Sequence, residues 1–319
     1  MKKRLMLVLR KLEPALLERI RAAAHGFEVL AIADGTMEDR HYKEAELICG
    51  WNAKAEQLAL SPGTELKWIQ TWGAGIEQMP LAAIKERDIW LTNASGVHPY
   101  PISETVFAML LAFTRGLHLS IRNQSQRRWE PVQTQGEAHG RTMAVLGVGE
   151  IGREVARLAK AFGMTVLGLR KSGEPAEYVD RMLTYGEEQE LLSTSDYIVN
   201  CLPMTAETKH LVGKDWFAMM KPGAFYINIG RGGTTDTEAL IEALREGRLA
   251  GAGLDVFEQE PLPADHPLWS MEGVILTPHH TGITTEYNRR VTDIIVANLE
   301  AYVQGREPFV NRIPSDRMY

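Results

Sequence analysis

The chain has 319 residues, 45% hydrophobic and 24% charged, enough for one large or two medium domains with a sizeable core and unlike a disordered or fibrous composition. Its net charge of −6 and pI near 5.9 exclude a basic footprint for nucleic acid, so an anionic ligand must be held by local positive groups. Cys49 and Cys201 both lie inside apolar runs and read as buried reduced thiols rather than a disulfide framework or metal site, which suits a cytoplasmic protein.

The opening MKKRLMLVLRKLEP has a basic lead, but its apolar run before Arg10 is too short for a signal peptide or a membrane span and suits a first β-strand. Short apolar runs then recur at Leu5 to Leu9, Glu28 to Ile32, Leu47 to Trp51, Trp68 to Thr71 and Ile89 to Thr92. They alternate with helix-like segments such as PALLERIRAAAHG, the pattern of a parallel sheet covered by helices. After a turn-like HPYP, Ile102 to Trp129 keeps helical spacing of apolar residues and predicts one long helix bridging two units.

A second α/β unit follows, with strand-like MAVLGV, TVLGL, DYIVNCL, AFYINIG, AGAGLDV and VILTPH. Its first strand runs into VLGVGEIG, a G-x-G-x-x-G (Gly147, Gly149, Gly152) that enters the helix-like REVARLAKAFG. The first glycine permits a tight turn, the second lets backbone approach a pyrophosphate, and the third lets helix pack on strand. The helix N-terminus, through Glu150 and Ile151, adds N–H donors and positive dipole, so a dinucleotide is expected here. The next strand, TVLGL, ends on Arg170-Lys171-Ser172 where an NAD site places a carboxylate for the ribose 2′-OH. Guanidinium, ammonium and hydroxyl groups suit a 2′-phosphate, which predicts NADP(H) over NAD(H). Arg231, Glu260 and His279 each follow a strand-like run of this unit, where open parallel sheets gather ligands. Their types fit carbonyl reduction: a cationic fork for a carboxylate and keto oxygen, a histidine acid/base, and a carboxylate that stabilises the imidazolium. Asn288 to Val303 is again helical in pattern and returns the chain to the first unit.

These motifs, together with WGAGIEQM, SETVFAMLLAFTR, CLPMTAETKHLV, MKPGAFYINIGRGG, GLDVFEQEPLP and TPHHTG, resemble the D-isomer-specific 2-hydroxyacid dehydrogenase family, its glyoxylate and hydroxypyruvate reductase-like branch in particular. The resemblance implies an α/β architecture of two doubly wound parallel-sheet domains, a Rossmann dinucleotide-binding domain (99–282) inserted in a flavodoxin-like substrate domain (1–98 and 283–319), with the active site in the cleft between them. It also implies Arg231 as the substrate arginine, Glu260 as the acid behind the histidine, and His279, after Pro278, as acid/base. Asp255 is similar to the aspartate that contacts the nicotinamide carboxamide. Pro203, Thr208 and Ile229 border the cofactor, and the backbone of Ala74 and Gly75 resembles the loop that holds the substrate carboxylate. A homodimer is implied, with the long helix supporting it, and no metal, nucleic-acid or membrane partner.

His280 stands where the family commonly has an apolar residue, and the Pro-His step marks His279 as the matching imidazole. His98 is read as a turn histidine rather than a substrate contact, and Glu104 as either a first-turn helix residue or an interdomain partner. Trp51, Trp72 and Trp129 read as core or interface aromatics, with Trp72 and Trp129 able to shape a pocket. The expected reaction is NADPH-dependent reduction of glyoxylate, hydroxypyruvate or a similar 2-oxo acid to the D-2-hydroxy acid. Alternatives are a phosphoglycerate dehydrogenase-like enzyme and a cofactor-sensing, corepressor-like binding protein on the same scaffold.

Overall fold

Strands of alternating apolar side chains bury both faces when helices cover a parallel sheet, and two such sheets form here. The structure, a computed structural model, describes residues 4–35, 37–76, 78–133, 135–308 and 310–314. By its internal contacts the chain divides into two units, Met1–Val97 with Thr284–Tyr319, and His98–Ile283.

The first unit contains β1 (Arg4–Val8), β2 (Phe27–Ala31), β3 (Ala45–Cys49), β4 (Trp68–Gln70) and β5 (Trp90–Thr92), paired in parallel in the order β2-β1-β3-β4-β5. This is the flavodoxin-like order. Met6, Val8, Leu47 and Trp68 pack on one face with Leu17 and Ile20 of the helix Pro14–Ala23 and Ile295 and Leu299 of the helix Tyr287–Val303. Leu5, Leu7, Ile48 and Ile69 pack on the other with Ala55, Ala59 and Ile84. The last helix therefore completes the core of this unit.

A charged residue interrupts the buried β3. Glu46, 7% exposed, accepts from Arg4 Nε (2.9 Å) and Nη2 (2.8 Å), Lys67 Nζ (3.3 Å) and Tyr302 Oη (2.7 Å). Burial alone raises its pKa, but the Arg4 and Tyr302 hydrogen bonds outweigh this and bring it down to about 2. Because the folded value lies below the unfolded one, the knot stabilises fully above pH about 4.5 and its contribution, about 2 to 3 kcal/mol, is lost as pH falls towards 2. The urea midpoint of the wild type should fall over that window, and Glu46→Gln should flatten the fall while lowering the midpoint at pH 7.

The second unit contains β6 (Thr142–Leu146), β7 (Thr165–Leu169), β8 (Arg181–Leu183), β9 (Tyr197–Asn200), β10 (Ala224–Asn228), β11 (Leu249–Leu254) and β12 (Val274–Leu276). All pairs are parallel, in the order β12-β11-β10-β9-β6-β7-β8. The strand order reverses between β6 and β9, as in a Rossmann sheet. The expected strands are all present, each within a few residues. β8 was not expected, because Arg-Met-Leu at a sheet edge carries no apolar period.

The single long helix expected over 102–129 is two helices, Pro99–Thr114 and Leu117–Ser125. Gly116 divides them with φ +62°, and a Cβ there would come within 2.7 Å of Val132. Trp129 lies beyond the second helix and is 98% exposed. Glu104 belongs to the second turn, not the first, and is exposed. His98 Nδ1 lies 3.2 Å from Gly282 O, where this unit's two ends meet, in keeping with a turn histidine.

Candidate active site

The loops that follow β9 and β10 are shaped by the asparagine that closes each strand. Asn200 Oδ1 accepts from Leu202 N and Asn228 Oδ1 from Gly230 N, both at 3.0 Å, bending the chain directly after the sheet. Asn228, 1% exposed, also donates to Thr235 Oγ1 (2.9 Å) and Arg231 O (3.3 Å), and Thr234 Oγ1 donates to Arg231 O (2.6 Å). The backbone of Arg231 is thus fixed while its side chain is exposed. The guanidinium donates to Gly230 O at 2.9 Å and has no ion pair among the described residues. Gly232 lets this loop press on the next, since a Cβ there would fall 1.9 Å from Phe257 C.

Asp255 follows β11 and was expected at the nicotinamide carboxamide. Its carboxylate, 1% exposed, is met by the loop after β12: Oδ1 accepts from Thr277 Oγ1 (2.7 Å) and His280 N (3.0 Å), Oδ2 from Thr281 Oγ1 (2.6 Å) and N (3.3 Å). Four donors from one loop thus meet this carboxylate and fix the loop that carries His279. Asp255 O also accepts from His279 N at 2.9 Å. This anchoring holds His279 at φ +49°, a left-handed conformation that a non-glycine residue adopts only when its surroundings impose it.

Held this way, His279 Nδ1 lies 2.7 Å from Glu260 Oε2, and Glu260 Oε1 accepts from Phe257 N at 3.0 Å. Among the described residues the ring of His280 makes no such contact; its backbone N donates to Asp255 and its carbonyl accepts from Ile283 N. Arg231, Glu260 and His279 line one open depression of about 380 Å³ together with Met204, Gly232 and Phe257. Glu258 borders the same depression and pairs with His210 Nε2 at 2.8 Å, while His210 N donates to Gly233 O at 2.8 Å. This second histidine–carboxylate pair fastens the loops after β9, β10 and β11 to each other. Nothing in its local sequence announces it.

The glycine turn after β6 has the shape a pyrophosphate needs. Gly147 has φ +88°, and a Cβ on it would meet Cys201 O at 3.1 Å. A Cβ on Gly152 would meet Gly147 O at 2.4 Å, so helix and strand end touch there. At Gly149, which caps the helix Glu150–Ala161, a Cβ would meet nothing within 4 Å, leaving open space over the helix N-terminus. Ile151 packs against the core, and Glu150 points outward to Arg153 at 2.8 Å. These residues fit a dinucleotide. Ile229 is 5% exposed and packs in the core, and Thr208 Oγ1, also buried, staples its own loop by donating to Pro203 O at 2.7 Å.

The three polar groups after β7 are engaged. Arg170 Nη2 lies 3.7 Å from Glu174, Lys171 Nζ 2.8 Å from Glu207, and Ser172 Oγ accepts from Glu174 N at 3.4 Å. Both ion pairs are solvent-exposed and therefore weak, so an incoming phosphate can displace the carboxylates.

In the first unit, after β4, the carbonyls of Trp72, Gly73 and Ala74 are all tied. Trp72 O accepts from Tyr287 Oη, Gly73 O from Thr71 Oγ1 (2.8 Å) and Ala94 N (3.0 Å), and Ala74 O from Asn93 Nδ2 (2.6 Å). A planar trans peptide points its N–H opposite to its C=O, so the N–H groups of Gly73, Ala74 and Gly75 each point away from the tied carbonyl before it. None has an acceptor among the described residues. Successive free N–H groups form an anion-binding concavity.

Comparison with known proteins agrees with this geometry. The family model for the NAD-binding domain of D-isomer specific 2-hydroxyacid dehydrogenases matches residues 107–281. Glyoxylate reductase of Korarchaeum cryptofilum is 34% identical over 259 residues, 80% of this chain and 77% of that protein. The crystal structure of a D-isomer specific 2-hydroxyacid dehydrogenase family protein from Aeromonas salmonicida is 36% identical, with TM-score 0.82 and coverage of 99% of this chain and 100% of that one. That of the NADPH-dependent glyoxylate/hydroxypyruvate reductase of Sinorhizobium meliloti, in complex with NADP and sulfate, is 26% identical, with TM-score 0.79 and the same coverage. The chain belongs to the D-isomer-specific 2-hydroxyacid dehydrogenase family, oxidoreductases that act on the CH–OH group of 2-hydroxy acids and bind a nicotinamide dinucleotide in a Rossmann domain.

Proposed function

We propose that the protein reduces small 2-oxo acids, glyoxylate and hydroxypyruvate foremost, to D-2-hydroxy acids with NADPH. The observation that carries this reading is the 2.7 Å His279–Glu260 pair lining one depression with an arginine that has no ionic partner among the described residues. The nicotinamide supplies the hydride when bound. Arg231 orients the substrate by a charge-assisted fork, and the N–H groups of Ala74 and Gly75 serve as an anion site of the first unit. His279 donates the Nε2 proton to the keto oxygen as it becomes a hydroxyl, while Nδ1–H stays on Glu260. In the reverse direction neutral His279 takes that proton. Asp255 acts through the loop that carries His279.

The names of the Korarchaeum and Sinorhizobium proteins support the substrate class, and the second of these supports NADPH. So does the absence of a carboxylate directly after β7, where Arg170, Lys171 and Ser172 stand. A cytoplasmic homodimer completes the reading, which light scattering of the purified protein tests by mass.

Steady-state reduction of a 2-oxo acid panel with each cofactor tests the whole: activity with NADPH at lower KM than NADH is expected, and absence of turnover sinks it in favour of a binding protein. Arg170→Ala should raise KM for NADPH about tenfold and leave NADH nearly unchanged. Glu260→Gln keeps the shape but loses the charge behind His279 Nδ1, so kcat for reduction should fall about tenfold or more with KM for NADPH unchanged. An unchanged kcat would count against the pair.

A further inference from the structure

The carboxyl end of the first sheet carries a cation that the proposed reaction leaves unused. Arg10 follows β1, next to the β1–β3 boundary where strand order reverses and doubly wound sheets bind ligands. Its guanidinium lies 5.7 Å from the Trp72 ring and 5.9 Å from the Tyr287 ring. Stacking on two aromatic faces holds a guanidinium in place without neutralising it. The residue is exposed and has no hydrogen bond or ion pair among the described residues. Its neighbours in the unit differ: Arg4, Arg19, Arg21 and Arg289 all face carboxylates.

Trp72 gives a second, independent sign. It is 7% exposed, and its indole N–H is buried without an acceptor, as is that of Trp51 just after β3. A buried donor left unmatched costs free energy unless something accepts from it. The Trp72 ring is also immobilised: Gly50, at φ +97°, lies so close that a Cβ would meet the ring at 3.2 Å. Trp72 leads directly into the three free N–H groups of Gly73, Ala74 and Gly75. The guanidinium of Arg10 thus stands over the ring of the residue that leads into the three amide donors.

We propose that Arg10 forms a second anion position. It receives the carboxylate or phosphate on carbon 3 or beyond of a 2-oxo acid whose own carboxylate lies on the 73–75 amides. The preferred substrate class is then a doubly anionic 2-oxo acid, and glyoxylate, with nothing beyond carbon 2, is reduced without help from Arg10. The inference rests on the reductase reading above.

The test compares wild type with Arg10→Gln, using kcat/KM for oxaloacetate and 3-phosphohydroxypyruvate against glyoxylate. Loss of about tenfold or more on the doubly anionic pair, with glyoxylate within about twofold, is the expected result. Equal losses on all three, or none, overturn it. Calorimetric binding of D-malate and glycolate separates the two readings. Should the wild type reduce none of the acids, the reductase reading fails, yet D-malate binding weakened about tenfold by Arg10→Gln, with glycolate unaffected, still upholds Arg10. Unchanged D-malate binding refutes it.

Discussion

His279→Ala should lower kcat for 2-oxo acid reduction by about 10²- to 10⁴-fold, the range over which a positioned general acid contributes. NADPH should bind as tightly as before, because the glycine turn and the groups after β7 lie on other loops. Thermal stability should change little, because the side chain is half-exposed and Ala keeps the Cβ, and so the backbone strain, that His279 has at φ +49°. Stopped-flow hydride transfer and fluorescence titration of NADPH measure the two quantities separately. Loss of both together would mean that His279 shapes the fold rather than the chemistry. Replacing His280 by Ala is the matched control, expected to retain activity because only its backbone amide meets Asp255.

Arg231→Gln should cut kcat/KM by about 10²- to 10³-fold, the loss seen when one donor to a developing oxyanion is removed. Both kcat and KM should suffer, since the guanidinium binds the ground-state carboxylate and steadies the charge that grows on the keto oxygen. Arg231→Lys should recover little, because an ammonium cannot present a planar fork. Unfolding should be unaffected, as Arg231 is exposed and its loop is held by Asn228 and Thr234 through its backbone. Steady-state kinetics over the same 2-oxo acid panel reads these effects.

The fold is largely legible because short continuous apolar runs separated by helical segments leave few alternatives to a parallel sheet. Both sheets stand in the expected classes, with the last helix in the first unit's core. Gly116 went unread as a break because apolar spacing continues across it into Leu117 and Ile121, which the structure leaves exposed. At the site, Arg231, Glu260 and His279 stand out in the sequence because each follows a strand and because their types make chemical sense together, and all three line one depression. The anchoring of Asp255 is not legible in LDVF, because the four donors that meet it come from a loop some twenty residues on. The His210–Glu258 pair and the stacked Arg10 join residues distant along the chain, and no local pattern encodes such pairings.

The most direct test is a crystal structure with NADPH and oxamate, whose carboxylate and amide oxygen mimic a 2-oxo acid. Oxamate is expected in the depression between Arg231 and His279, with its oxygens on the guanidinium and His279 Nε2 about 2.6 to 3.2 Å from the oxygen that stands for the ketone. Oxamate bound elsewhere, or His279 turned from it while still paired with Glu260, would contradict the account.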